Sequence, residues 1–135
     1  YSAYAVTDIE LYYIPTTLFE KLIAENPKQM IYFYHKLSKI LESHEKRVQY
    51  IVVSNATNRI IKTLNYLMKE LGDYTNPTMV KIPYPITINE VADMSGCSRE
   101  TVGNTIKKLK EMDKLEYERK LFVFKDLIYF NTYTE

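Results

Sequence analysis

The chain has 135 residues, 46% apolar and 26% charged, with a net charge of +1. That composition suits one ordinary domain, or two small ones sharing a connecting element, and excludes a disordered chain or a polycationic wrapper of nucleic acid. The single cysteine, Cys97, excludes a disulfide framework and any four-cysteine metal or iron–sulfur site, so no cofactor is expected on these residues.

No apolar stretch approaches the ~20 residues that span a bilayer, and no signal-like start is present. A cytoplasmic location without a membrane partner is expected. With 3 glycines, 5 prolines and 13 tyrosines, the chain has no Gly-x-Gly-x-x-Gly or Walker-type run. A dinucleotide or nucleotide-hydrolysing site therefore has no support. Numbering begins at Tyr1 rather than Met, so a piece of a longer protein is expected.

Residues 1–14, rich in tyrosine and β-branched side chains and partly alternating, read as strand. Pro15 and the two threonines after it open a short helix, Leu18 to Glu25, which stops at Asn26-Pro27. A strand and one short helix cannot make a core of their own. The segment either packs on the rest of this chain or is the tail of a β-domain, and the second is the preferred expectation.

Lys28 to Val53 holds no proline or glycine and has helical periodicity. Met30, Tyr34, Leu37, Leu41, His44, Val48 and Ile51 alternate spacings of four and three, an a/d seam sustained for about three heptads. At 1.5 Å per residue the helix would be roughly 39 Å long, more than a small domain buries. A second copy of the chain is the expected partner for the seam. His44 lies mid-seam as a polar register-setting residue, and Glu42, Glu45, Lys46 and Arg47 form a salt-bridging rim.

Ser54, Asn55 and Thr57 are N-cap types, and a second helix follows with Ile60, Ile61, Leu64, Leu67, Met68 and Leu71 on one face and Gly72 at its end. Asp73 to Pro77 is a loop. Val80 to Ile86 reads as an edge strand interrupted by Pro83 and Pro85.

Residues 87–112 carry the functional signal. Thr87-x-x-Glu90 is a capping box that starts a helix. Ala92 is small enough for a second helix to cross, and Gly96 can adopt the positive φ of a tight turn. Ser98 then caps another helix, with Val102, Ile106 and Leu109 on its buried face. Helix, glycine turn and helix at this spacing is the helix-turn-helix plan, whose second helix offers its N-terminal residues to the major groove.

The exposed positions of that helix are Arg99, Glu100, Gly103, Asn104, Lys107 and Lys108. Arginine can take a guanine edge, glutamate can accept from a cytosine amine, and asparagine can read adenine. Ser98 and Thr101 hydroxyls suit phosphate oxygens. Residues 96–110 carry four basic residues against Glu100 alone, so Lys107 and Lys108 are further phosphate candidates. Leu115-Glu116-Tyr117 and Leu121 to Phe124 read as a β-hairpin wing whose Arg119 and Lys120 can touch phosphate, opposed by Glu116 and Glu118.

The run Gly96-Cys97-Ser98-Arg99-Glu100-Thr101-Val102-Gly103 resembles the helix-turn-helix of the cyclic-AMP receptor protein and fumarate–nitrate regulator family of bacterial transcription factors. The similarity continues back through Asn58-Arg59-Ile60 and the long helix to Asn26-Pro27. It reaches Val6-Thr7-Asp8-Ile9-Glu10-Leu11, which is similar to the last strands of that family's effector β-barrel.

The resemblance implies a mainly α chain with a small β component. Its parts would be the end of an effector β-barrel (residues 1–27), a long dimerisation helix (28–54) and a C-terminal winged helix-turn-helix (55–135). It implies a homodimer reading a palindromic site, with Arg99 and Glu100 on base edges and Thr57, Ser98 and Thr101 on phosphates, and RNA polymerase as a further partner.

Two positions depart from the pattern. Asn104 stands where the cyclic-AMP branch has a second reading arginine, which shifts that contact toward adenine. His44-Glu45 stands where that branch has a Thr-Ser pair touching the nucleotide, and an unpaired glutamate disfavours an anionic ligand there. The family's phosphate-binding cassette is not among these residues, nor are the iron–sulfur cysteines of the oxygen-sensing branch, so the effector is open. A dimeric protein-interaction module built on the helical pair is the alternative function. An enzyme is not expected, since His35 and His44 have no paired nucleophile or metal-like spacing.

Overall fold

The computed structural model describes residues 3–5, 8–53 and 55–132, and the side chains of residues 47 and 50–53 lie outside the description. The expectations placed on Val6, Thr7, the Ser54 cap and the side chains of Arg47 and Ile51 therefore fall outside the described residues. The chain divides into two compact units, residues 1–49 and 50–135.

In the first unit, the described residues among 1–14 form no strand, contrary to expectation. Tyr12 and Tyr13 are 95% and 88% exposed. Alternation shows that a segment suits a sheet, but a ladder needs a strand beside it, and this segment has none among the described residues. Helix α1 is Thr16–Ala24, starting two residues before the expected Leu18.

Helix α2 is Pro27–Val53, about 40 Å long. Its start shows what Asn26-Pro27 does. The Asn26 side chain and carbonyl both accept from Gln29 N, at 3.4 and 3.0 Å, so Asn26 caps α2 and Pro27 takes the first helical position, where no N–H is needed. Phe19 of α1 meets Phe33 of α2 edge-on, with ring centroids 5.3 Å apart.

The described seam residues Met30, Tyr34, Leu37, Leu41, His44 and Val48 are all exposed. Ile31, Tyr32, Phe33 and Ile40 add exposed apolar surface beside them. On the rim, Lys46 pairs with Glu42 at 2.6 Å and holds the Glu42 carboxyl below its usual range.

The second unit contains α3 (Ala56–Leu71), β1 (Val80–Lys81), α4 (Ile88–Ser95), α5 (Arg99–Glu111), β2 (Leu115–Glu118), β3 (Leu121–Phe124) and α6 (Leu127–Thr132). The antiparallel sheet runs β1-β3-β2. Val80 faces Phe124 across β1 and β3, and Glu118 faces Leu121 across β3 and β2. Beyond β1 the pairing continues through Ile82 N and Ile86 N, which donate to Phe122 O and Lys120 O at 3.0 and 2.8 Å. Pro83 and Pro85 lie between these donors, which is how an edge strand carries proline.

The core is built from Ile60 and Leu64 of α3, Val91 of α4, Val102 of α5, and Phe122 and Phe124 of β3, all fully buried. Each contributes ~1.5–3 kcal/mol relative to exposure. Leu71, expected on the buried face of α3, is instead 39% exposed, because the helix ends there and the chain turns away.

Gly72 does end α3, but at φ −73°, ψ 140° rather than in the left-handed region. Its reason is space: a Cβ would lie against the Met68 carbonyl and Val80 Cγ1. Helix α6 is absent from the sequence reading. The Asp126 side chain starts it by accepting from Tyr129 N at 2.9 Å, and Phe130, fully buried, meets Phe124 edge-on at 4.9 Å.

Candidate nucleic-acid interface

The reading helix is set up by local chemistry. Thr87 and Glu90 form the full capping box: Thr87 N donates to Glu90 Oε2 at 2.6 Å, and Glu90 N donates to Thr87 Oγ1 at 3.2 Å. The hydrogen bonds from the Thr87 backbone and hydroxyl hold the Glu90 carboxyl below its usual range. Helix α4 ends at Gly96 in the left-handed conformation, φ 60°, which an L side chain enters at a cost of about 1–2 kcal/mol. Gly96 N and Cys97 N both turn back to Ala92 O, so the orphan carbonyl at the helix end is satisfied.

Ser98 caps α5, its Oγ accepting from Thr101 N at 3.1 Å and lying 2.8 Å from Thr101 Oγ1. Whichever hydroxyl donates in that pair, one hydroxyl proton remains for an outside acceptor, beside a helix N-terminus that favours anions. Ser98 is exposed and Thr101 half-buried.

Arg99, Glu100 and Asn104 are all exposed. Glu100, Asn104 and Lys108 repeat every four residues, and Arg99 to Asn104 spans about 7.5 Å of helix axis, or about two base-pair steps. Lys107 and Lys108 extend the exposed face, with Lys107 4.0 Å from Glu111. Gly103 is half-buried rather than exposed, and a Cβ there would meet nothing within 4 Å. Thr57, near the start of α3, is exposed as well, behind the Asn55 cap that accepts from Asn58 N at 2.9 Å.

The wing turns in two residues. Arg119 and Lys120 have φ of 50° and 67°, so they are the central pair of a type I′ hairpin turn without its usual glycine or asparagine. Glu118, expected in the turn, ends β2 instead. Both basic side chains are exposed at the tip.

Glu116 does not oppose them as expected. It pairs with Lys125 at 2.6 Å, and Lys125 also holds Asp113 at 2.8 Å. The Asp113 and Glu116 bonds push the Lys125 ammonium above its usual range. The same strand, β2, is fixed to α4's entry by Tyr117, whose hydroxyl donates to Ile86 O at 3.0 Å. Burial, then the Glu90 charge, raise its pKa.

The sequence reading gave no role to Arg59. The guanidinium Nε donates to Ser95 O at 3.1 Å, and Nη2 donates to Gly96 O at 3.2 Å and Cys97 Sγ at 3.4 Å. Cys97 Sγ in turn lies 3.7 Å from Ala56 O. No local pattern announces a bond across 36 residues. Among the described residues, no group of three or more His, Cys, Asp or Glu side chains is placed to hold a metal, and no helix is long and apolar enough to cross a membrane.

A capping-box helix, a left-handed glycine turn, a second capped helix with an exposed polar face, and a β-wing together define the winged helix-turn-helix class of DNA-binding domain. Residues 58–128, more than half of the chain, match the Crp-like helix-turn-helix domain family. The chain belongs to this family and carries its helix-turn-helix domain.

The chain is 31% identical over 117 residues to the cAMP-activated global transcriptional regulator CRP of Haemophilus influenzae, covering 87% of this chain and 51% of that one. It is 32% identical over 107 residues to the HTH-type transcriptional regulator ArcR of Staphylococcus epidermidis, covering 79% of this chain and 46% of the relative. The chain thus spans about half the length of the curated relatives it matches.

Among solved structures, a CooA mutant from Carboxydothermus hydrogenoformans superposes with a TM-score of 0.73 at 22% identity, covering 88% of this chain and 55% of that one. A CRP/FNR family transcriptional regulator from Thermus thermophilus gives 0.68 at 21% identity, covering 81% and 55%. These two likenesses concern the fold.

Proposed function

We propose that the chain acts as a homodimer that reads a palindromic DNA site, with one α5 helix in each of two major grooves. The observation that carries this reading is the N-terminal half of α5. There Arg99, Glu100 and Asn104 stand exposed behind a Ser98 cap, in a chain that is otherwise almost neutral. Arg99 takes a guanine edge, Glu100 accepts from a cytosine amine, and Asn104 takes adenine. Ser98, Thr101, Thr57, Lys107, Lys108, Arg119 and Lys120 hold phosphates and set the register.

Helix α2 is the dimerisation helix, joined along Met30, Tyr34, Leu37, Leu41, His44, Val48 and Ile51. The exposure of the described seam residues supports this. The two reading helices then stand roughly 34 Å apart, one duplex turn. Residues 1–27 are the end of an effector domain, and residues 55–135 the DNA-binding domain. On this proposal the described residues hold no cofactor, RNA polymerase is the further partner, and the protein works in the cytoplasm without catalysis.

The test is selection of preferred sites from a randomised inverted-repeat library by the wild-type chain and by Arg99→Ala, Glu100→Ala and Asn104→Arg. Each lost bidentate pair costs ~1–3 kcal/mol of discrimination at one base position. Asn104→Arg shifts the preference from adenine to guanine. Identical selected sites from all four proteins refute base reading by α5 and favour a helical pair that binds another polypeptide.

A further inference from the structure

The first turn of α5 is weakly held by its own side chains. Arg99 and Glu100 are exposed, and burial on α5 begins only at Val102, continuing through Thr105, Ile106 and Leu109. Burial thus holds α5 from its fourth residue onward, while Arg99 and Glu100, which meet base edges, have no burial of their own to fix their direction. The helix has 13 residues, or about 19.5 Å of axis, so a tilt of about 10° about its far end displaces the N-terminus by about 3.4 Å, a whole base-pair step. Bidentate base recognition does not survive such an error.

What restrains that end is the turn before it, and the turn is bound to α3. The guanidinium of Arg59 bonds the carbonyls of Ser95 and Gly96 and the Cys97 sulfur at once. The terminal carbonyls of α4 have no acceptor role left within the helix, so a cation there is doubly suited. Cys97 adds a weaker thread to Ala56 O, at the first residue of α3. Thr57 lies two residues before Arg59, and Ser98 and Arg99 lie directly after Cys97.

We infer that Arg59 is a positioning residue for DNA reading: it fixes the N-terminus of α5 against the N-terminus of α3, so that the phosphate contact at Thr57 and the base contacts at Arg99 and Glu100 keep one spacing. The inference rests on the DNA-reading function proposed above. A planar fork that reaches three acceptors is not replaced by an ammonium, which is a point charge.

The test compares Arg59→Met, Arg59→Lys and, as a control for general loosening of the same helix, Ile60→Val, each in the full chain. Two quantities are read: the exchange rates of the Gly96 and Cys97 amides by NMR, and the ratio of affinities for the selected duplex and a scrambled one. Arg59→Met is expected to exchange at those two amides about tenfold faster and to lose about tenfold in the affinity ratio, with scrambled binding little changed. Arg59→Lys falls between, and Ile60→Val moves neither.

If Arg59→Met does not fold, Arg59→Lys is judged by the same two readouts. Wild-type exchange and discrimination in a folded Arg59 variant would overturn the inference, as would an equal loss of discrimination in Ile60→Val. If the wild-type chain itself does not discriminate, the DNA reading fails. The exchange rates then still judge the clamp, and unchanged rates reject it.

Discussion

Asn65 is the one buried side chain whose polar atoms have no hydrogen-bond partner among the described residues: both its amide nitrogen and its oxygen are orphaned, at 0% exposure. It sits mid-helix in α3, with Ile61 one turn before it and Met68 on the next turn, both buried. Leucine has the same branching and the same number of side-chain heavy atoms, so Asn65→Leu places methyl groups where the amide now sits.

Removing an unpaired buried amide recovers about 1–3 kcal/mol. The helix preference for leucine over asparagine adds about 0.5 kcal/mol, and the slightly larger volume costs about 1 kcal/mol in a dense core. The net is a gain of roughly 1.5 kcal/mol, which raises the melting temperature by roughly 10 °C for a unit of this size. Circular-dichroism melts and urea titration of both proteins read this directly. DNA affinity should not change, because Asn65 lies about 12 Å along α3 from Thr57. A lower melting temperature for Asn65→Leu would refute the reasoning, since it would mean that the amide is satisfied or that the site cannot take the larger side chain.

Three further outcomes are expected. Ser98→Ala removes the α5 cap and lowers stability by about 1 kcal/mol, and it weakens selected and scrambled duplexes alike, as seen by melting and by anisotropy; a loss confined to the selected duplex would contradict a phosphate role. Glu90 has its pKa lowered by Thr87, so the unfolded chain binds its proton more readily. Its contribution is present above the ordinary value of 4.5 and fades as the pH falls through the lowered folded value, and Glu90→Gln flattens that part of the stability–pH curve in acid titration. Gly103→Ala meets open space and removes a mid-helix glycine, so it raises stability by about 0.5–1 kcal/mol in a thermal melt.

What was legible in the sequence was what local chemistry decides. The Thr87–Glu90 box, the Gly96 turn and the Ser98 cap each act over three or four residues, and each appears in the structure at the residues that announced it. The periodic face of α3 was legible for the same reason, apart from Leu71, exposed at its last position. The described residues before Pro15 form no strand, because alternation reports suitability for a sheet and says nothing of whether a neighbouring strand exists.

Helix α6 was missed although Asp126 three residues before Tyr129 is a cap signal. Its anchor, Phe130 against Phe124, is a tertiary contact with no local trace. The two-residue wing turn was hidden because Arg119 and Lys120 are poor residues for positive φ. The role of Arg59 has no local trace, since its partners lie 36 to 38 positions away. At the interface, the residue types of α5 were readable, but the bonds that orient the helix were not.

The measurement that bears most directly on function is a fluorescence-anisotropy titration of this chain against a duplex carrying two inverted half-sites one turn apart, with a scrambled duplex beside it at several salt concentrations. Saturation of the inverted-repeat duplex at two chains per duplex is expected, at least ~10³-fold tighter than scrambled binding, which falls steeply with salt. Equal, salt-sensitive affinity for both duplexes, or no binding at low salt, would contradict a dimeric reader that specifies sequence through Arg99, Glu100 and Asn104.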